Sequence, residues 1–221
     1  MKRLLFLYIF FLQLFHAKDS TAQTQTIKFN LVSGTNGLSL GKINSLTTDI
    51  HGVMWLSDQT NHCLTRYDGN RITRYQNDPK NLNSLGGTYP ECLNTDAAGI
   101  IWVGFYGTGL DRFDPETNTF THYQHRKNDQ GSLSNDSVTA ILIDHLGKIW
   151  VATYGGLDLL DEKTGTFKHF NHKDGDTTSL SYNKIRALYE DHQGTIWVGT
   201  GFPWEKTKKG EGTTFIIQLP V

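Results

Sequence analysis

Two pairs of histidines, His122/His125 and His169/His172, have the His-x-x-His spacing that can place two imidazoles on one metal ion. Each pair closes a short aromatic stretch, FTHYQH or FKHFNH, that reads as an outer strand. In a strand, residues i and i+3 point to opposite faces, so a shared metal is not expected there. Cys63 and Cys92 stand alone, with no Cys-x-x-Cys and no cluster with histidine, so zinc is not expected and a single bridge stays open. The acids that fall in variable loops are mainly Asp58 and Glu205. A retaining glycosidase would need two such carboxyls about 5 Å apart. Neither Gly-x-Ser-x-Gly nor a phosphate-binding glycine loop with lysine is present, and no catalytic residue, cofactor or metal is expected. The loops of one face do carry Phe105, Tyr106, Tyr154 and Trp204, with His125 and Arg126 in another loop expected on that face. Aromatic faces beside hydrogen-bonding groups suit a sugar, whose C–H surface stacks while its hydroxyls need partners.

The elements that must position these residues show in a repeat. Trp55, Trp102, Trp150 and Trp197 recur at spacings of 47, 48 and 47. Gly52, Gly99, Gly147 and Gly194 stand three residues before them, and Asp49, Asp96, Asp144 and Asp191 six before. Asp-x-x-Gly between apolar stretches is a tight turn, because Asp accepts backbone N–H groups ahead of it and Gly tolerates positive φ; these aspartates are expected to be structural. The flanking pairs Met54/Leu56, Ile101/Val103, Ile149/Val151 and Ile196/Val198 make the following strand apolar on both faces. Two residues beyond each Trp, and ten before it, the side chains are small: Ser57, Gly104, Ala152, Gly199 and Ser45, Cys92, Ala140, Ala187. We expect the first set to clear an adjoining indole and the second to lie where innermost strands crowd an axis. LTRYDG, LDRFD and LDLLD supply a third strand, and RITRY, FTHY and FKHF a fourth. Asn118 and Gly165 sit at the left-handed position of the connecting hairpins.

A period of this length, four strands per repeat and a strand buried on both sides describe the blades of a propeller. The stretches Gly99 to Asp114 and Gly147 to Asp161 resemble the two-component regulator propeller repeats, with their G-x-x-W-[VIL]-G-T-x-x-G-L-x-R-[FY]-D pattern. The resemblance extends over about the whole chain after residue 22. It implies the extracytoplasmic sensor part of a hybrid two-component system, a role often filled by glycan sensors. In such proteins two seven-bladed propellers precede a β-sandwich, a membrane helix and a histidine kinase. No kinase core is recognisable here, so no kinase activity is expected of these residues.

The fold expected is all-β: four four-stranded blades, at about 38–80, 81–130, 131–177 and 178–221, forming an open arc of a seven-bladed type. The fourth repeat decays into GFPWEKTKKGEG and TTFIIQLPV, so the chain reads as stopping inside a blade, as a truncated longer gene would. Ile27 to Leu31 alternates as a strand and could complete blade 4 in a closed four-bladed ring; the open arc is favoured, with exposed edges that promote self-association.

At the N-terminus, Lys2 and Arg3 precede an apolar run from Leu4 to Phe15, which resembles a signal peptide cut after Ala22. That run is too short to be a membrane span. Its removal takes Lys2, Arg3, Lys18 and Asp19 and shifts the net charge from -1 to -3. A chain with no basic surplus is not expected to bind nucleic acid, and a periplasmic or secreted location is expected. The function expected is a ligand-sensing module responding to an oligosaccharide. A polysaccharide-acting propeller enzyme and a protein-interaction scaffold are the alternatives, and for Tyr106 and Tyr154 the alternative is that they plug the propeller mouth.

Overall fold

The computed structural model describes residues 40–200 and the strand Thr213–Ile217. The expected signal peptide, the Ile27 to Leu31 strand, Trp204 and Glu205 lie outside the described residues. Blade 1 is β1 (Ile43–Thr48), β2 (Met54–Asp58), β3 (Cys63–Tyr67) and β4 (Ile72–Gln76), and blade 2 is β5 (Pro90–Thr95), β6 (Ile101–Phe105), β7 (Leu110–Asp114) and β8 (Thr119–Tyr123). Blade 3 is β9 (Val138–Ile143), β10 (Ile149–Thr153), β11 (Leu157–Asp161) and β12 (Thr166–Phe170); blade 4 is β13 (Ile185–Glu190), β14 (Ile196–Thr200) and β15 (Thr213–Ile217). Each sheet is an antiparallel meander in chain order. No helix among the described residues is long and apolar enough to cross a membrane.

The turn between the first two strands of every blade is built the same way. Asp49 Oδ1 accepts the backbone N–H of His51 and Val53, at 2.9 and 3.0 Å, and Gly52 adopts φ 76°. The carboxylate's other oxygen accepts the indole N–H of the tryptophan six residues on, at 2.9, 3.0, 2.9 and 2.8 Å for Trp55, Trp102, Trp150 and Trp197. One aspartate thus closes the turn and fixes the ring that enters the core. The indole and backbone N–H groups also hold the Asp191 carboxyl below its usual range.

The tryptophans reach forward along the chain. Trp55 packs with Leu93, Ile101, Val103 and Phe113 of blade 2, Trp102 with Val138, Ile141, Ile149 and Val151 of blade 3, and Trp150 with Ile185, Ile196 and Val198 of blade 4. Three apolar cores therefore lie between blades, and each sheet contributes to two of them only if it has a neighbour on both sides. The exposures follow from this. Leu46 is 62% exposed where its counterparts Leu93 and Ile141 are 7% and 8%, and Met54 is 37% exposed where Ile101, Ile149 and Ile196 are at most 1%. Trp197 is half-buried at the other end. Among the described residues the four blades form an open arc.

The small residues two positions beyond each tryptophan have a different reason from the one the sequence suggested. A Cβ on Gly104 would lie 2.5 Å from Cys92 Sγ and 2.5 Å from Val138 Cγ1. The clearance is for the paired residue of β5 and for the innermost strand of the next blade, not for an indole. Ser45 and Ser57 solve the same contact by hydrogen bonding, Ser45 N–H to Ser57 Oγ at 2.8 Å. Cys63 and Cys92 are buried, unbridged thiols, and burial pushes both above the ordinary thiol range.

Candidate functional site

The innermost strands each contain an irregularity at one equivalent position. Pro90 pairs with Phe105 and Cys92 with Gly104, which leaves Glu91 outside the ladder; Ile185 pairs with Thr200 and Ala187 with Gly199, which leaves out Arg186. The same shift isolates Thr139 in β9 and includes Asn44 in β1. A bulge bends the strand and re-aims the extra side chain. Here it turns Asn44, Glu91, Thr139 and Arg186 into one open cleft of about 400 Å³, together with Lys42, Gln59, Tyr89, Tyr106 and Tyr154. All four blades contribute to its walls.

Glu91 is the carboxylate of this cleft among the described residues. Its Oε2 accepts the side-chain amides of Asn44 at 2.8 Å and Gln59 at 2.9 Å, both from blade 1. Lys42 Nζ donates to Gln59 Oε1 at 3.2 Å and so extends the chain of contacts. Thr139 is turned to the wall, its hydroxyl donating to the Ile185 carbonyl at 2.7 Å. Tyr106 and Tyr154 meet edge to face with centroids 5.8 Å apart, and the Tyr106 and Tyr89 rings are 56% and 52% exposed. Arg186 and Lys184 stand over the Tyr154 ring at 5.6 and 6.0 Å. Burial raises the Tyr154 phenol and Arg186 pulls against it.

The sequence-derived candidates separate on this geometry. Tyr106 and Tyr154 come together in the cleft. Phe105 does not belong with them: it is fully buried among Trp55, Leu64 and Phe113, because β6 is buried on both faces to its last residue. His125 and Arg126 line no part of the cleft. His125 Nδ1 faces the Leu133 carbonyl at 2.8 Å and its backbone N–H donates to Asp136 at 2.7 Å, while Arg126 lies 3.6 Å from Asp129 on the exposed loop. Trp204 lies outside the described residues. Asp58, the candidate enzymatic acid, is wholly buried; it accepts the backbone N–H groups of Gly41 and Asn61 and the Asn61 amide, at 3.1, 2.9 and 2.7 Å. Burial works to raise this carboxyl, but those hydrogen bonds outweigh it and hold it below the usual range. It fastens a loop.

The histidine pairs bind structure rather than metal. His122 Nδ1 lies 2.6 Å from Asp111 Oδ1 and its Nε2 2.9 Å from the Leu82 carbonyl; His169 repeats this with Asp158 at 2.7 Å and the Gln130 carbonyl at 2.8 Å. The second oxygen of each aspartate accepts a loop N–H, from Gly86 or Ser134. Each pair therefore staples the loop arriving from the previous blade onto the outer strands of the next. With an acceptor at both ring nitrogens, the pair is satisfied only when it holds both protons. The bond to the carboxylate accordingly raises both histidines above their ordinary value. Among the described residues no group of three His, Cys, Asp or Glu side chains could hold a metal.

Sequence reasoning missed the bulge positions. The signal was present, since Asn44, Glu91, Thr139 and Arg186 all stand eleven residues before a repeat tryptophan and all four are polar. It also missed the Ser-Leu pairs at 84–85, 132–133 and 179–180, whose leucines are at most 3% exposed and pin the arriving loops into the interblade cores.

Comparison with known proteins places this architecture. The family described as two component regulator propeller matches residues 132–155 and 179–202, each running from a Ser-Leu pair or its edge through the tryptophan strand. Histidine kinase P4 of Formosa agariphila is 29% identical over 127 residues, covering 56% of this chain and 9% of that protein. The extracellular domain assigned to a hybrid two component system of B. thetaiotaomicron superposes with a TM-score of 0.64 at 27% identity, over 74% of this chain and 22% of that one. A virginiamycin B lyase from Staphylococcus aureus shares the fold alone, with a TM-score of 0.53 at 13% identity over 80% of this chain and 56% of that one. The chain thus spans less than a quarter of the length of each of these two two-component relatives. The two matched stretches are thus similar to two component regulator propeller repeats, and blades 1 and 2 carry the same Asp, Gly and Trp positions.

Proposed function

We propose that this chain is an extracytoplasmic sensing module that binds a carbohydrate at the cleft where the four innermost strands bulge. The observation that carries the reading is the combination in one cleft of two exposed tyrosine faces, Tyr89 and Tyr106, with a carboxylate whose Oε2 is already held in place by two amides. A prepositioned carboxylate accepts sugar hydroxyls without first losing side-chain freedom, and rings beside it receive the apolar sugar face. The similarity to the extracellular domain of a two-component system supports the sensing role, and the signal-like N-terminus supports export. A retaining glycosidase acting on the same ligand would need a second carboxyl beside Glu91. Among the described residues the cleft supplies one, and Asp58 is committed to its loop.

Isothermal calorimetry of the chain against a panel of plant and host oligosaccharides tests this. Binding should appear without release of products and should fall at least tenfold when Tyr106 and Tyr154 are both changed to Ala. Turnover of any polysaccharide, or binding indifferent to both tyrosines, would overturn the reading.

A further inference from the structure

Neighbouring blades meet through two unlike halves, and the chain repeats this contact three times. One half is a slot, formed by a small residue of the innermost strand and the small residue paired with it, Cys92 with Gly104 or Ala140 with Ala152. The other half is the first residue of the next blade's innermost strand. Val138 seats against Cys92 and Gly104, and Ile185 joins Ala140 and Ala152 in one core. Three residues into the same strands, Leu93 and Ile141 pack with the preceding blade's tryptophan. At the ends of the described arc the two halves are parted. Blade 4 carries the slot: Ala187 is exposed, Gly199 and Trp197 are half-buried, and Tyr189 is 60% exposed where its counterpart Leu142 packs into a core. Blade 1 carries the filler: Ile43 is half-buried where Val138 and Ile185 are fully buried, and Leu46 and Met54 are exposed. Leu56 beside them is buried, so the open patch is Ile43, Leu46 and Met54.

We infer that two copies of this chain associate head to tail, with blade 1 of each seated on blade 4 of the other. The contact continues the one already made between blades. Ile43 would enter the slot of Ala187 and Gly199 as Ile185 enters that of Ala140 and Ala152, and Leu46 would cover Trp197 as Leu93 covers Trp55. Like faces do not fit in this way, because two slots bring no filler and two fillers bring no slot. A contact between unlike faces grows into an open row of copies unless the rotation closes it. Four blades per copy make eight in a pair, within the range of about four to eight over which propellers close. The pair therefore forms both contacts and leaves neither apolar face in water.

Sedimentation velocity on the chain tests this, and variants at the two ends decide the pairing. The parent chain should sediment as a dimer. Leu46→Glu and Ala187→Glu each place a charge in one half of the contact, at a position exposed in the single chain. Each should raise the dissociation constant at least tenfold, in variants whose far-ultraviolet circular dichroism matches the parent. An equimolar mixture of the two brings the intact slot of the first to the intact filler of the second. Association in the mixture should therefore be stronger than in either variant alone and weaker than in the parent, because one contact of the two remains. A parent chain that stays monomeric up to its solubility limit overturns the inference. So does a dimer that neither substitution weakens, or a mixture no stronger than the separate variants, which is the behaviour of like faces pairing. Species that keep growing beyond two copies as concentration rises overturn the closure.

Discussion

Replacing Trp102 separates the two jobs this ring performs. Its side chain is fully buried between blades 2 and 3, and its indole N–H donates to Asp96 Oδ2 at 3.0 Å. Trp102→Ala removes both the packing and the hydrogen bond, and a large buried aromatic lost in this way costs about 3–5 kcal/mol. Trp102→Phe keeps much of the contact with Val138, Ile141 and Val151 but leaves the carboxylate oxygen without its indole donor. Asp96 is only partly buried, so water can reach that oxygen, and the loss falls near the low end of the range for an orphaned acceptor, about 1–2 kcal/mol including the lost volume. Asp96→Ala removes the acceptor and also frees the backbone N–H groups of Ala98 and Ile100, at a cost of about 1–2 kcal/mol. The double variant Asp96→Ala with Trp102→Phe should then lose less than the two single losses combined, by about 1 kcal/mol. Urea unfolding followed by far-ultraviolet circular dichroism measures all four chains. The reasoning is refuted if Phe costs as much as Ala, or if the two single losses add without coupling.

Further outcomes are expected from the same contacts. His122 and His169 are raised above their ordinary value by Asp111 and Asp158, so their staples contribute fully below about pH 6.5 and are lost as pH rises through the higher folded-state values. The urea midpoint should therefore fall between pH 6 and pH 9, and His122→Gln with His169→Gln should flatten that fall; a midpoint that rises over this interval contradicts the assignment. Gly104→Ala should destabilise the chain by about 1–3 kcal/mol, because its Cβ would meet Cys92 and Val138 inside ordinary contact distance. Ala152→Gly, at the equivalent place in blade 3, should cost about 1 kcal/mol or less, and a larger loss there than at Gly104 would show that the pairing of small residues is not the constraint.

Most of the fold is legible because it is repetitive. Four copies of the Asp, Gly and Trp positions fix the first turn and the second strand, and a left-handed residue marks the outer hairpin, where Asn118 and Gly165 have φ 54° and 69°. What repetition does not display is direction. Nothing in the spacing says that an indole N–H returns to its own turn aspartate, or that Gly104 faces the next blade's Val138. The site was harder still. Tyr106 is conspicuous in the sequence as an aromatic residue just after a glycine-bearing strand, whereas Glu91 and Arg186 look like ordinary strand residues until a break in register turns them. Phe105 was misread because the strand end and the loop are indistinguishable by composition, and only the burial of β6 to its last residue separates them. His125 presents the opposite case, a polar loop residue whose Nδ1 and backbone N–H help hold the loop.

A side chain within a ladder is constrained twice, by the strand opposite and by the sheet packed on its face. The four residues left out of register escape the first constraint, and they range from Asn and Thr to Glu and Arg while the register shift recurs in every blade. Each blade therefore carries one cleft-lining position that is less tied to the strand opposite it. On the proposed reading of the cleft, a change of ligand calls for new side chains at these four positions and no new scaffold.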